Sequence, residues 1–157
     1  MRTFLRYWLP VVLWAGLIAL LSTGEFNSNF TIRVLRAVVT LFVPEVSAAT
    51  LLQLNAVVRK LAHVTEYFIL GLLLWRALRH GAAEAWRARW ALGTLAVGLL
   101  WAAADETHQL FARGRRGSLG DVGFDTLGVL LALLLLYGWS RRGKRKAEQA
   151  GSLLRSE

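Results

Sequence analysis

The chain has no cysteine, which excludes disulfides, a thiolate nucleophile and cysteine-ligated zinc. Acids are scarce: Asp and Glu number 10 against 19 Lys and Arg, for a net charge of +9. A surplus of that size invites a nucleic-acid reading. The distribution argues against one, because the basic residues sit at the ends of apolar segments and in a terminal run. Proline is limited to Pro10 and Pro44. Also missing is any uncharged run of the ~20 residues that a spanning helix needs. Yet 55% of the residues are hydrophobic and the mean hydropathy is +0.44. That balance fits one compact membrane domain rather than a soluble enzyme.

Four segments come close to spanning length. Tyr7 to Gly24 is uncharged over 18 residues and follows Arg2 and Arg6. No small-x-small site follows it, so it reads as a retained helix rather than a cleaved signal peptide. Pro10 falls in or near its first turn, where proline is tolerated. Three later segments hold only 15 residues between flanking charges: between Lys60 and Arg76 (with Glu66 inside), between Arg89 and Asp105, and between Asp125 and Arg141. Each must borrow its missing turn from a flank, and the flanks at one end carry acids and histidine.

The expected fold is all-α, a bundle of four transmembrane helices at about Tyr7–Ser22, Leu61–Leu78, Trp90–Gln109 and Asp121–Trp139. The connection from Glu25 to Arg59 predicts two amphipathic helices at the membrane surface, split by Pro44, the second able to run straight into the next span. Residues 1–140 form the membrane domain. Residues 141–157 read as a basic, disordered tail on the cytoplasmic side. Trp8, Trp75, Trp86, Trp90 and Trp139 lie near helix ends, as interfacial anchors do. With four spans, 12 Lys and Arg fall on the side of both termini, 11 of them in the stretches next to the spans, against seven opposite, where seven of the ten acids also lie. The positive-inside bias then puts both termini in the cytoplasm of a bacterial inner membrane and the acidic cluster outside.

Helical spacing organises that cluster. His63, Glu66 and Tyr67 stand at i, i+3, i+4 and share a face. Asp105, His108 and Gln109 repeat the spacing, with Trp101 a turn earlier and Glu106 on a different face. Asp121, Asp125 and Gly128 run i, i+4, i+7. Gly71, Gly93, Gly98, Gly123 and Gly128 would allow close helix approach. The basic, glycine-rich loop Arg113–Ser118 would sit over the site, its donors able to hold carboxylates or an anionic group.

Each feature has a plainer explanation. His63 with Glu66 is weak as a metal motif, and although Asp105, Asp121 and Asp125 nearby would suit a hard divalent cation, no metal ligand is assigned. Asp121 could be a simple N-cap, and Arg115 or Arg116 its ordinary salt-bridge partner. His80 reads as solvated. The number of converging ionisable groups exceeds what holding four helices together requires. Membrane-embedded acids are by default a functional hypothesis.

At these residues the chain resembles the VanZ-like family of small bacterial membrane proteins. The stretches that carry the likeness are RKLAHVTEYFILGLLL (Arg59–Leu74) and DETHQLFARGRRGSLGDVGFDTLG (Asp105–Gly128). Lys60, His63, Glu66, Tyr67, Asp105, Glu106, Gln109, Gly114, Arg115, Ser118, Asp121, Asp125 and Gly128 match the family pattern, and Ser22 matches its serine at the end of the first helix. Arg113 stands where the family often has proline. The resemblance implies a four-helix membrane protein in an envelope context, with a link to teicoplanin resistance.

The function expected from all this is an outward-facing site that binds or acts on a lipid or lipid-linked envelope component. Glu66 or Asp105 would serve as acid or base, with His63 as proton partner. Lys60, Glu106, Gln109, Arg115, Ser118, Asp121 and Asp125 would contact the substrate, Lys60 and Arg115 by holding an anionic head group. Partners are membrane lipids and not nucleic acid; no cofactor, reaction class or oligomeric state is assigned. The alternatives are a structural or partner-binding protein whose polar cluster packs helices, and a small transporter.

Overall fold

The computed structural model describes residues 2–22, 28–83, 86–111 and 119–153. They form five α-helices and, among the described residues, no strand: α1 (Arg2–Ser22), α2 (Ser28–Val39), α3 (Ala48–Arg79), α4 (Ala88–Phe111) and α5 (Leu119–Leu153). The all-α class expected from sequence is found. Three helices, α1, α3 and α5, are long and apolar enough to cross a membrane. Helix α4 is not among them, since Arg89 near its start and Asp105 and Glu106 near its end dilute a 24-residue helix.

Several boundaries differ from expectation. Helix α1 begins at Arg2, so Pro10 lies more than two turns inside it. Its missing N–H leaves the carbonyl of Arg6 without an i+4 donor. The second surface helix and the next span are one helix, α3, of 32 residues. Ser47 caps it by accepting from the Thr50 amide at 3.1 Å. Neither proline nor glycine occurs between Ala48 and Leu70, so nothing breaks it at Leu61. It ends where His80 adopts the left-handed conformation (φ 48°) and Gly81 follows at φ 74°. Helix α5 does not stop at Trp139 but runs to Leu153 through residues expected to be disordered. Arg, Lys, Ala, Glu and Gln are good helix formers, and a span supplies the nucleus that a short basic tail lacks alone.

Helix α3 packs against all four others. Helices α3 and α5 run parallel, with α1 and α4 antiparallel to them. The closest approach is built on small residues. A Cβ on Gly128 would meet the carbonyl oxygen of Val64, and would lie 2.9 Å from the Phe68 amide nitrogen. Val129, fully buried, lies between Gly71 of α3 and Gly98 of α4, whose Cβ positions would come within 3.3 and 2.8 Å of it. Gly93 meets only the tip of Leu78, and Gly123 faces open space. The exterior is apolar: Leu13, Leu20, Leu92, Leu100 and Leu134 are each more than 60% exposed. Such a surface suits hydrocarbon rather than water.

The end of the bundle near Arg79 and Trp90 is aromatic and basic. Trp75 stacks on Trp86 at 4.5 Å and meets Trp90 edge-on at 5.9 Å, and Trp86 meets Tyr137 at 5.1 Å. Arg87 and Arg89 lie over Trp90, and Arg141 over Tyr137. Trp75 and Trp90 are buried in helix packing, whereas Trp139 stays exposed.

Candidate polar site where three helices end

Ser22 is the last residue of α1, Asp105 lies two turns before the end of α4, and Asp125 lies two turns into α5. Only α3 passes through this level, and it carries His63 at its midpoint. The four side chains converge. His63 Nδ1 stands 3.3 Å from Asp125 Oδ1, at ion-pair distance. Ser22 Oγ donates to Asp105 Oδ2 at 2.7 Å, and Gln109 Nε2 donates to the same oxygen at 3.0 Å. Donor atoms of His63, Asp105 and Asp125 lie within 4.8 Å of one another.

Burial is deep for ionisable groups. Asp105 is 5% exposed and Asp125 1%. Tyr67, one turn from His63 on the same face, is fully buried. It lies within electrostatic reach of Asp125, Asp105, Glu66 and Glu106. Among the described residues, the Tyr67 hydroxyl, Asp105 Oδ1, Asp125 Oδ1 and the Trp101 indole N–H make no hydrogen bond. Unpaired polar atoms at such depth are costly.

The buried stripe of α4 is not the one expected. Ala102, Asp105, Glu106 and Gln109 are buried while His108 is exposed. These four follow i, i+3, i+4, i+7, so the interior lies on the Glu106 side of Asp105, and Glu106 shares its face after all. Glu66 is half-buried at the edge facing α1, where Trp14 Nε1 donates to its backbone carbonyl at 2.9 Å. Lys60 is exposed, its Nζ 4.5 Å from the ring of Phe124. Asp121 lies inside the first turn of α5 rather than ahead of it, so it is not an N-cap. Arg113, Gly114, Arg115, Arg116 and Ser118 lie outside the described residues. His80 is exposed, as expected, and also caps α3, with its ring centroid 5.7 Å from that of Tyr7 and 6.4 Å from that of Trp8.

Two participants carried no signal of their own. Trp14 reads as one more apolar residue of α1, and its partner is a backbone carbonyl. Asn55 is buried on α3 with its side-chain oxygen unpaired among the described residues.

No curated protein and no solved structure matches the chain. The family model described as VanZ/LLP1 matches residues 7–140, which takes in α1 from its second turn on, the whole polar cluster and the apolar length of α5. With three helices apolar enough to cross a membrane, the chain is a membrane protein, and it belongs to the VanZ/LLP1 family.

Proposed function

We propose that the chain crosses a bacterial cytoplasmic membrane four times, with both termini in the cytoplasm. Its polar cluster then faces outward and binds or acts on a lipid or lipid-linked envelope component. The observation that carries this reading is the buried group of His63, Asp105, Asp125 and Tyr67 with polar atoms left unpaired. A bundle selected only for stability would do better with apolar packing at those positions. Glu66 or Asp105 acts as acid or base and His63 as its proton partner. Lys60, exposed beside Phe124, holds an anionic head group together with Arg115. The amphipathic α2, packed on α3, borders the lateral approach. The family's association with teicoplanin supports an envelope substrate.

A second reading, a structural cluster, draws support from one contact set: Ser22 and Gln109 both bond Asp105, tying α1 to α4. Transport has less support, because the buried acids among the described residues, Asp105, Glu106 and Asp125, all lie at one end. Among the described residues no relay of such groups continues through the other half.

Glu66→Gln and Asp105→Asn, verified as folded and inserted, separate these readings in a strain lacking the native gene. Both should lose the envelope phenotype that the wild type restores. Full restoration by both variants refutes the lipid reading. A large drop in Tm for Glu66→Gln in detergent favours the structural one.

A further inference from the structure

We propose that His63, Asp105 and Asp125 form a binding site for one divalent transition-metal ion, with zinc the best fit. The chemistry of the donor set is the first reason. One imidazole nitrogen and two carboxylates suit zinc, and three protein ligands leave one coordination position open.

Geometry is the second. Ligands held about 2.0–2.2 Å from zinc in a tetrahedron stand roughly 3.3–3.6 Å from one another. His63 Nδ1 and Asp125 Oδ1 are 3.3 Å apart, a tetrahedral edge. All three donors lie within 4.8 Å of one another, so a displacement of roughly 1 Å brings the set to tetrahedral spacing.

The third reason is the disposition of Asp105. Ser22 and Gln109 both donate to Oδ2. That fixes the carboxylate and leaves Oδ1, buried and unpaired, as the free ligand atom. Supporting hydrogen bonds of this kind orient ligands at metal sites. Two carboxylates buried beyond nine-tenths with one imidazole carry net negative charge, which a divalent cation compensates. The hydroxyl of Tyr67, on the same face of α3, is buried without a hydrogen bond and lies within electrostatic reach of Asp125 and Asp105. The sequence alone assigned no metal, because the three donors come from three helices and no local motif links them.

The site shares His63 and Asp105 with the lipid reading, which leaves Glu66 as the acid or base there, and it is tested without lipid. Untagged full-length protein in detergent, stripped with EDTA, is titrated with Zn²⁺ by calorimetry, and its melting is followed with and without the ion. The expected result is one ion per chain with a raised Tm. His63→Ala and Asp125→Asn should weaken binding at least 100-fold. Ser22→Ala, which removes only an orienting bond, should weaken it about 10–100-fold. His108→Ala, exposed on α4, should leave it unchanged. Wild type that neither binds Zn²⁺ nor shifts its melting overturns the proposal. So does stoichiometric binding that the folded His63→Ala and Asp125→Asn variants retain. If those variants do not fold, zinc-edge X-ray absorption on the wild type decides: one imidazole in the coordination shell supports the site, and none or two overturns it.

Discussion

Replacing Gly128 by alanine tests whether close contact between α3 and α5 sets the geometry of the polar site. The new Cβ would stand 3.0 Å from Tyr67 Cβ and 2.9 Å from the Phe68 nitrogen, and against the carbonyl oxygen of Val64. Relaxed heavy-atom contacts between carbons lie at ~3.5–4.0 Å, so the helices must part by roughly 0.5–1 Å or more. Two of the three obstacles are backbone, which no rotamer change can move. Asp125 lies one turn earlier on α5, and His63 adjoins Val64. The 3.3 Å contact between them should therefore open towards or past 4 Å. Overpacking costs about 1–3 kcal/mol, against which alanine returns up to ~1 kcal/mol of helix propensity. A net loss of about 1–2 kcal/mol lowers Tm by roughly 2–8 °C for a chain of this size. Gly123→Ala in the same helix meets nothing within 4 Å and should keep that propensity gain. Thermal unfolding of both variants in one detergent is the assay. If Gly128→Ala melts at or above wild type, or Gly123→Ala falls as far, the close approach is not what holds these helices in register.

Ser22→Ala removes the donor to a buried carboxylate oxygen and should cost about 1–3 kcal/mol in thermal unfolding; Ser22→Thr should restore much of it. His108→Ala should change stability by less than about 0.5 kcal/mol and leave the cellular phenotype intact, since His108 is exposed beside the buried stripe. A loss equal to that of Gln109→Ala would contradict that placement. Trp75→Ala should lower stability by about 3–5 kcal/mol, because its ring is buried between Trp86 and Trp90. A smaller cost, near 1 kcal/mol, would mean those contacts are not formed in detergent.

Much of the fold was legible because apolar length and turn residues are local signals. Pro44 divides α2 from α3, and the absence of Pro or Gly between Ala48 and Leu70 lets α3 run on. The tail was misjudged because composition speaks for an isolated peptide, whereas residues 141–153 continue a helix already nucleated in α5. Spacing correctly grouped His63 with Tyr67 and Asp105 with Gln109. It put His108 in place of Glu106 because a wheel shows neighbours, not which side the core lies on. Only contact with α3 and α5 decides that, and the decision turns on the glycines at 71, 98 and 128. Ser22 entered through the family pattern. Nothing along the chain says that its hydroxyl meets Asp105 across 83 positions.

The two aspartates of α5 show why position along a helix matters as much as spacing. Asp121 lies in the first turn, where free amide N–H groups and the positive end of the helix dipole stabilise a carboxylate at little cost. Asp125 comes one turn later, past the last free amide, and is 1% exposed. No backbone donor of its own helix can reach it. Its charge must be met from α3 by His63, or by a cation that both residues share. Exchanging the residues at these positions in the sense Asp121→Asn and Asp125→Asn should therefore give unequal results. The first should cost only the tenths of a kcal/mol expected at a helix start. The second breaks a buried pair and should cost about 3–5 kcal/mol if His63 is left charged. If instead Asp125→Asn is as stable as wild type while Zn²⁺ no longer raises its Tm, the carboxylate is held there against the interests of the fold, and the ion is its reason for being there.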